Sequence, residues 1–361
     1  MKRSFKTLTL ILAFSLLFPC SALFSCMRNK VPDVHVFYYT YSDTYVSSVR
    51  AALDEQLRNA GVTFQDYDGN SNQTTQTEQI QTAITKGAKA IVVNIVNTGS
   101  DDAASTVVSL AKNAGIPVIF FNREVSDNVI QSYDKCAFVG TRAEEAGILQ
   151  GEMIGDFAVQ NFDSIDINGD GKISYVLFKG EEGNNEAIYR TKYAVEEADK
   201  KLAAANKPAL SFYDSKNTNK YLVDRNGQWS ASAANEYMTT ALTSFNETNG
   251  NMIEMVICNN DGMAEGAIAA LNSAGYNTGA PGSRTIPVFG VDATDAAKEL
   301  IANKKMTGTV KQDAEGMATA LCKLAVNGAT DNGEGLFANM DDYVIDETVM
   351  KVRIPYSKFL G

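Results

Sequence analysis

The sequence predicts an α/β protein made of two doubly wound lobes with parallel sheets. Two observations carry this expectation. From Val34 onward, short β-branched and aromatic runs alternate with helix-length amphipathic segments, the order that builds parallel sheets covered by helices. The alternation completes one series and starts another, and 361 residues are enough to bury two separate cores.

In the first series Val34-His35-Val36-Phe37-Tyr38 leads to a helix over 45–60, and Thr63 to Tyr67 leads to one over 75–86. Ala90-Ile91-Val92-Val93-Asn94 precedes a helix over 103–113, and the apolar run Pro117 to Phe121 reads as a buried strand. In the second series Ala137-Phe138-Val139 precedes a helix over 143–157, and Ser174 to Phe178 precedes one over 186–204. Met255 to Cys258 then leads to a helix over 263–274, and Val288 to Val291 to one over 295–302. Ligands of such sheets bind beyond the carboxyl ends of the strands. Asp43, Asn94, Asn122, Asn259-Asn260-Asp261 and Asp292 all follow apolar runs and gather there. Helix capping accounts for any one of them, but not for the tripeptide 259–261 or for an Asp within Phe289-Gly290-Val291-Asp292-Ala293.

Lys2, Arg3 and Lys6 precede an apolar run from Leu8 to Phe18, which has the form of a secretory signal and is too short for a membrane span. The segment ends in Leu23-Phe24-Ser25-Cys26, which resembles a bacterial lipoprotein signal. That resemblance implies removal of residues 1–25, lipidation of Cys26 and a tether over 26–32; Cys20 is a weaker candidate because Pro19 precedes it. The expected location is the periplasm or cell envelope, with the lipid as the only membrane contact. The formal net charge is −11, and the leader removes only basic residues, so nucleic acid is an unsuitable partner. Cys136, Cys258 and Cys322 lie far apart among apolar neighbours and read as buried thiols, with one long-range pair left open.

Between Asp166 and Ser174 the chain reads Asp-Ile-Asn-Gly-Asp-Gly-Lys-Ile-Ser, the first three-quarters of an EF-hand calcium loop. The place of its final bidentate Glu is taken by Leu177. Calcium takes roughly six to eight oxygens, so binding here requires a carboxylate from elsewhere in the fold.

The loop and the strand-end residues together closely resemble the galactose/glucose-binding proteins of sugar ABC transporters, which are type I periplasmic binding proteins. The resemblance spans nearly all of the chain beyond the leader. Its carriers are Tyr39 to Tyr45, Asn94 to Val96, Pro117 to Asn122, Ser132 to Lys135, Val139 to Thr141, Asp166 to Ser174, Lys179 to Glu181 with Arg190-Thr191, Glu254 to Ala264, Pro287 to Ala293 and Gly308 to Val310. It implies two lobes joined by a three-segment hinge, with crossings near Pro117, Gln312 and Arg353-Ile354-Pro355. The N-terminal lobe would then hold 33–116 and 313–352, and the C-terminal lobe 117–312 and 353–361.

By the same resemblance a hexose, galactose or glucose, binds between the lobes and passes unchanged to a membrane permease; a chemoreceptor is an open second recipient. Asp43, Asn94, Asn260 and Asp292 would meet hydroxyls, Arg190 would offer a fork of donors, and Tyr45 and Trp229 would cover the two ring faces. Asn184 stands where the family has histidine, Glu186 where it has aspartate, and Gln312 where it has asparagine, which leaves the preferred sugar open. The resemblance also supplies the missing calcium ligand: Glu254 would join Asp166, Asn168, Asp170, Ser174 and the carbonyl of Lys172 around Ca2+.

The residues speak against an enzyme. His35 is the only histidine and lies in an apolar strand, so no His-based triad or zinc site is available, and neither a Gly-x-Gly-x-x-Gly after a strand nor a Walker loop occurs. A glycosidase using Asp43, Glu186 or Asp292 is the enzymatic alternative. A binding or sensor protein for another small neutral ligand is the other. A sugar-responsive repressor is disfavoured by export and by the lack of an N-terminal helix-turn-helix.

Overall fold

The computed structural model describes residues 31–330 and 333–361. The signal segment 1–25, Cys26 and the tether as far as Lys30 lie outside the described residues. The chain from Pro32 to Gly361 forms one contiguous unit. It begins with β1 (Val34–Tyr38), α1 (Thr44–Asn59), β2 (Phe64–Asp68), α2 (Gln73–Lys86), β3 (Ala90–Val93), α3 (Asp102–Ala114), β4 (Val118–Phe121), α4 (Asp127–Gln131) and β5 (Cys136–Gly140). The middle of the chain forms α5 (Ala143–Ile165), β6 (Ser174–Lys179), α6 (Asn185–Ala204), β7 (Ser211–Phe212), β8 (Leu222–Val223), α7 (Ala231–Leu242), β9 (Met255–Cys258), α8 (Asp261–Ser273), β10 (Val288–Asp292), α9 (Asp295–Ala302) and β11 (Gly308–Gln312). The last elements are α10 (Ala314–Thr330), β12 (Val344–Asp346), β13 (Lys351–Arg353) and β14 (Tyr356–Phe359).

Two sheets result, ordered β12-β13-β5-β4-β3-β1-β2 and β14-β11-β10-β9-β6-β7, with β8 also paired to β6. The strands from β1 to β5 and from β6 to β11 pair in parallel; β12 and β14 are antiparallel edges. Buried on both faces, the central strands are continuous apolar runs, and β1, β3, β4 and β5 have no exposed residue. In the first lobe α1 and α10 cover one face, and α2, α3 and α4 the other. In the second lobe α5 and α6 lie opposite α7, α8 and α9.

The strand order corrects the first crossing. β4 and β5 both belong to the first sheet, so residues 118–140 lie in the N-terminal lobe and the chain passes over after Gly140, not near Pro117. A buried strand at a lobe boundary and one inside a lobe have the same apolar pattern, which is why the sequence could not separate them. The later passages fall between β11 and α10 and between β13 and β14. α7 and α10 were not foreseen, because Ala-rich helices show little polar contrast, and strands of two or three residues carry no period.

Gly147, Gly151 and Gly155, four residues apart on α5, let it lie directly against α6. A Cβ at these positions would come within 2.5, 2.5 and 2.6 Å of Tyr189 O, Tyr193 O and Lys201 Cβ. His35 is a satisfied core residue: its ring nitrogens lie 2.9 Å from Tyr67 Oη and 3.2 Å from Pro32 O, and burial lowers its pKa. Cys136, Cys258 and Cys322 are buried and free, so no pair forms among the described residues. Among these residues no helix is long and apolar enough to cross a membrane.

Where α1 meets β2, the carboxyl of Asp66 hydrogen-bonds that of Asp54, beside the buried Tyr38 hydroxyl of β1, which has no partner. Burial first and the Asp54 carboxylate second push the Asp66 pKa up to about 7, against the pull of Arg50 and Arg58. A carboxyl whose folded pKa is raised favours the protonated fold, so stability is fullest below about pH 4 and falls as pH rises toward 7. Asp66→Asn should remove up to ~1.4 kcal/mol of this loss per pH unit, measured by urea denaturation at pH 5 and pH 8. An unchanged pH slope in the variant would place the titration elsewhere.

Candidate functional site

Both sheets have a switch in strand order beside their first strand, between β1 and β3 and between β6 and β9, and the loops leaving these carboxyl ends face one another. Asp43, Asn184 and Asn260 are the N-caps of α1, α6 and α8. Their side chains accept from Val46 N, Ala187 N and Met263 N at 2.8, 3.2 and 2.9 Å. Capping and a place in the site are not alternatives here, because all three also line one cavity between the lobes. Three helix N-termini, each a zone of partial positive charge, therefore converge on that space.

The cavity is lined by Tyr39, Asp43, Tyr45, Asn122 and Arg123 from the first lobe and by Asn184, Glu186, Arg190, Trp229, Asn260, Asp292 and Gln312 from the second. Nine of the ten ligand residues expected from the sequence are therefore together. The tenth, Asn94, is not part of the lining: it is fully buried and acts as an internal tie. It accepts from Tyr39 N at 3.3 Å and donates to Phe121 O at 3.0 Å and Asn122 Oδ1 at 3.2 Å. Asn122 occupies the cavity wall instead. Both residues follow an apolar strand, and only the sheet decides which one faces out.

Asn122, Trp229, Asp292 and Ala293 have positive φ, at 59°, 55°, 124° and 55°. Such backbone is uncommon outside glycine, and its concentration around one cavity is characteristic of functional sites.

Arg190 does not present the open fork expected of it. Nε and Nη2 donate to Glu186 Oε2 at 3.2 and 3.0 Å, and Nη1 to Asn259 O at 2.8 Å. Nη2 also reaches Gln312 Oε1 at 3.0 Å and Tyr356 Oη at 2.8 Å. Burial opposes its charge, but Tyr356, Glu186 and Asp292 outweigh that and raise its pKa. Glu186 is equally occupied, since it also accepts from Thr141 Oγ1 at 2.7 Å and Tyr356 Oη at 3.0 Å. Two groups keep capacity for a guest: the buried Gln312 Nε2, which has no partner, and the Asp292 carboxylate, which the Asp261 backbone N–H reaches and which lies 3.8 Å from Arg190 Nη1. Burial raises the Asp292 pKa well above the usual range; Arg190 opposes this, while Asp261 and Asp43 add to it.

Tyr45 is buried, with its hydroxyl turned away onto Met317 Sδ. Trp229 packs on the backbone of Gly180 and donates from Nε1 to Glu181 Oε2 at 3.4 Å. Tyr39, Arg123 and Tyr356 escaped the sequence reading, although Tyr39 stood within the run Tyr39 to Tyr45 that drew attention.

The loop 166–174 lies between α5 and β6, and Glu254 reaches it from just before β9. Glu254 Oε1 accepts from Ile167 N and Asn168 N at 2.7 and 3.2 Å, and Oε2 from Ser174 N at 2.8 Å and Ser174 Oγ at 3.1 Å. Asp166 accepts from Asp170 N and Gly171 N at 3.1 and 2.9 Å, and Asn168 and Asp170 accept from Asp170 N and Lys172 N, both at 2.9 Å. Burial raises the Glu254 pKa against the backbone donors Ser174, Asn168 and Ile167. Asp166, Asn168, Asp170, the Lys172 carbonyl, Ser174 and Glu254 make an all-oxygen set that suits a hard cation in its chemistry. Among the described residues, however, no three acidic, His or Cys side chains converge to hold a metal, so these carboxylates would have to turn inward.

Residues 34–333 match the periplasmic binding protein domain family. The chain is 33% identical over 326 residues to the D-galactose/methyl-galactoside binding periplasmic protein MglB of Haemophilus influenzae, covering 90% of this chain and 88% of that one. A solute binding protein of an ABC transporter from Bacillus halodurans, solved with myo-inositol, superposes with a TM-score of 0.66 at 26% identity, over 91% of this chain and 93% of that chain. Another from Clostridium phytofermentans, solved with β-D-glucose, shares the fold with a TM-score of 0.68 at 21% identity, over 91% and 93%. These relatives are solute-binding proteins, not enzymes.

Trp229 is the only tryptophan, so its emission reports this wall of the cavity directly. A Cβ on Gly180 would run into the Trp229 ring at Cδ2. Gly180→Ala should displace the ring, shift its emission to longer wavelength and cost ~1–3 kcal/mol of stability by overpacking. Unaltered emission and stability would show that the ring is not seated on this backbone.

Proposed function

Because the chain belongs to the periplasmic binding protein family, we propose that it captures a hexose, galactose or glucose, between its lobes and delivers it unchanged to an ABC permease. The observation that carries this reading is the cavity itself. Asp292 and Asp43 can accept from ring hydroxyls, Gln312 Nε2 and Asn122 can donate, and Tyr45 and Trp229 offer flat apolar surfaces. Such a set suits an uncharged polyhydroxylated ring. The extent of identity with a galactose-binding relative supports a hexose over other rings. The commitment of Arg190 and Glu186 to protein partners, together with the myo-inositol-bound neighbour, makes a cyclitol the second reading. Lipidation at Cys26 and delivery to a chemoreceptor extend the proposal; mass spectrometry of the exported protein tests the first, and receptor pull-down with the closed protein tests the second.

Calcium belongs to the same proposal. Asp166, Asn168, Asp170, Lys172 O, Ser174 and Glu254 would hold it, and the ion would supply charge that binds the loop to the base of β9.

Calorimetric titration with galactose, glucose, other aldohexoses and myo-inositol should give one tight ligand among the hexoses; binding by none of them would refute the reading. Asp292→Asn should weaken that ligand at least about tenfold, the scale of a lost charge-assisted hydrogen bond. Hydroxyl donors favour the Asp292 carboxylate over its acid. Since its pKa is raised, affinity should climb as pH rises through that pKa, with proton release seen by repeating the titration in buffers of different ionisation enthalpy.

Calcium at 100 times its Kd should raise the unfolding free energy by ~2.7 kcal/mol. Glu254→Gln should remove most of that gain in a thermal melt. An equal loss with and without calcium would assign Glu254 to packing alone.

A further inference from the structure

Arg123 follows β4 in the first lobe and Glu181 follows β6 in the second. Arg123 Nη2 donates to both Glu181 oxygens, at 3.0 and 2.8 Å, across the cavity mouth. Within its own lobe Arg123 is fixed independently, with Nε on Ile95 O at 2.7 Å and Nη2 on Val96 O at 2.8 Å. Its guanidinium lies over the Tyr39 ring, 4.3 Å from the centroid, and Tyr39 Oη donates to Asp43 Oδ2 at 2.6 Å. On the other side Glu181 accepts from the Trp229 indole. A continuous chain of contacts, Asp43 to Tyr39 to Arg123 to Glu181 to Trp229, therefore spans the two lobes. Asn184 Nδ2 meets Thr98 Oγ1 beside it at 3.5 Å.

We propose that Arg123 and Glu181 are positioning residues that form an inter-lobe clasp, made only when the lobes are closed and holding the Asp43 and Trp229 walls in register. The inference rests on closure around a ligand and is independent of which ligand that is. If the lobes part, Ile95 and Val96 still hold Arg123 in place, so the donor is preorganised and only Glu181 must be recruited. Its side chain is 19% exposed, against 5% for Arg123, so water can take over its hydrogen bonds in the open form at low cost. Arg123 lines the cavity and Glu181 does not, so Glu181 favours the closed form through the clasp alone. Affinity rises with the population of that form, because a binding-competent state that is rarely occupied lowers the apparent affinity in proportion.

The test uses Arg123→Ala, Glu181→Ala, the double variant and Arg123→Lys in the full chain. Calorimetry with the tightest hexose should show each single alanine variant weakened roughly tenfold, the double no weaker than the worse single, and Arg123→Lys partly restored. Closure is read separately, without ligand, as the rate of disulfide formation after Thr98→Cys and Asn184→Cys, whose native side chains already touch across the mouth. Glu181→Ala should slow that reaction by a similar factor. Additive losses, or a cross-linking rate unchanged by Glu181→Ala, would overturn the clasp. If no hexose bound the native protein, the hexose reading would fall while the cross-linking rate still decided this one.

Discussion

The buried pair Glu186–Arg190 is where all three passages of the chain between lobes meet. Thr141 stands just after the first passage, Gln312 just before the second and Tyr356 just after the third, and each hydrogen-bonds directly to one or both members of the pair. Removing one partner from such a pair leaves an uncompensated buried charge, a penalty of ~3–5 kcal/mol. The three crossings are therefore bound to a common point that also forms part of the cavity wall. Relative movement of the lobes has to occur around this knot, so a ligand pressing on Asp292 or Gln312 acts within a few ångströms of the pivot.

This arrangement separates two kinds of polar residue in the site. Arg190, Glu186 and Asn94 spend their hydrogen bonds on protein and keep the walls rigid. Asp292, Gln312 Nε2 and Asn122 retain capacity for a guest. Preorganisation of this sort lowers the ordering cost of binding, and the positive φ at Asn122, Trp229 and Asp292 represents strain that the surrounding contacts hold in place. Asp261, beneath Asp292, accepts from Thr309 Oγ1 at 2.6 Å and Thr294 N at 2.9 Å, yet burial still pushes its pKa up to about 7, so the Asp292 wall is backed by a second acid near its own titration.

The fold was legible because parallel strands buried on both faces must be apolar along their whole length, and the amphipathic segments between them can only be the covering helices. The cap residues Asp43 and Asn260 were legible for a related reason, since strand-to-helix turns need short polar side chains, whereas Asn184 was reached only through the family resemblance. Glu254 was not legible from spacing, being 80 residues from the Ser174 it contacts; only the family resemblance pointed to it. Tyr356, Arg123 and Tyr39 gave no local signal, because their roles arise from partners in distant segments.

The sequence by itself determined the two-lobed α/β architecture, the acidic character and the belt of polar residues beyond the strands, because each follows from local period, composition or turn chemistry. Tertiary structure decided that the first crossing follows Gly140, that Asn122 and not Asn94 faces the cavity, and that Arg190 turns its donors onto Glu186 and Tyr356. Those outcomes depend on strand order and on which buried groups find each other, and a one-dimensional pattern holds neither. Hydrogen bonds between residues 27 to 55 positions apart choose between Asn94 and Asn122, which are equivalent in sequence.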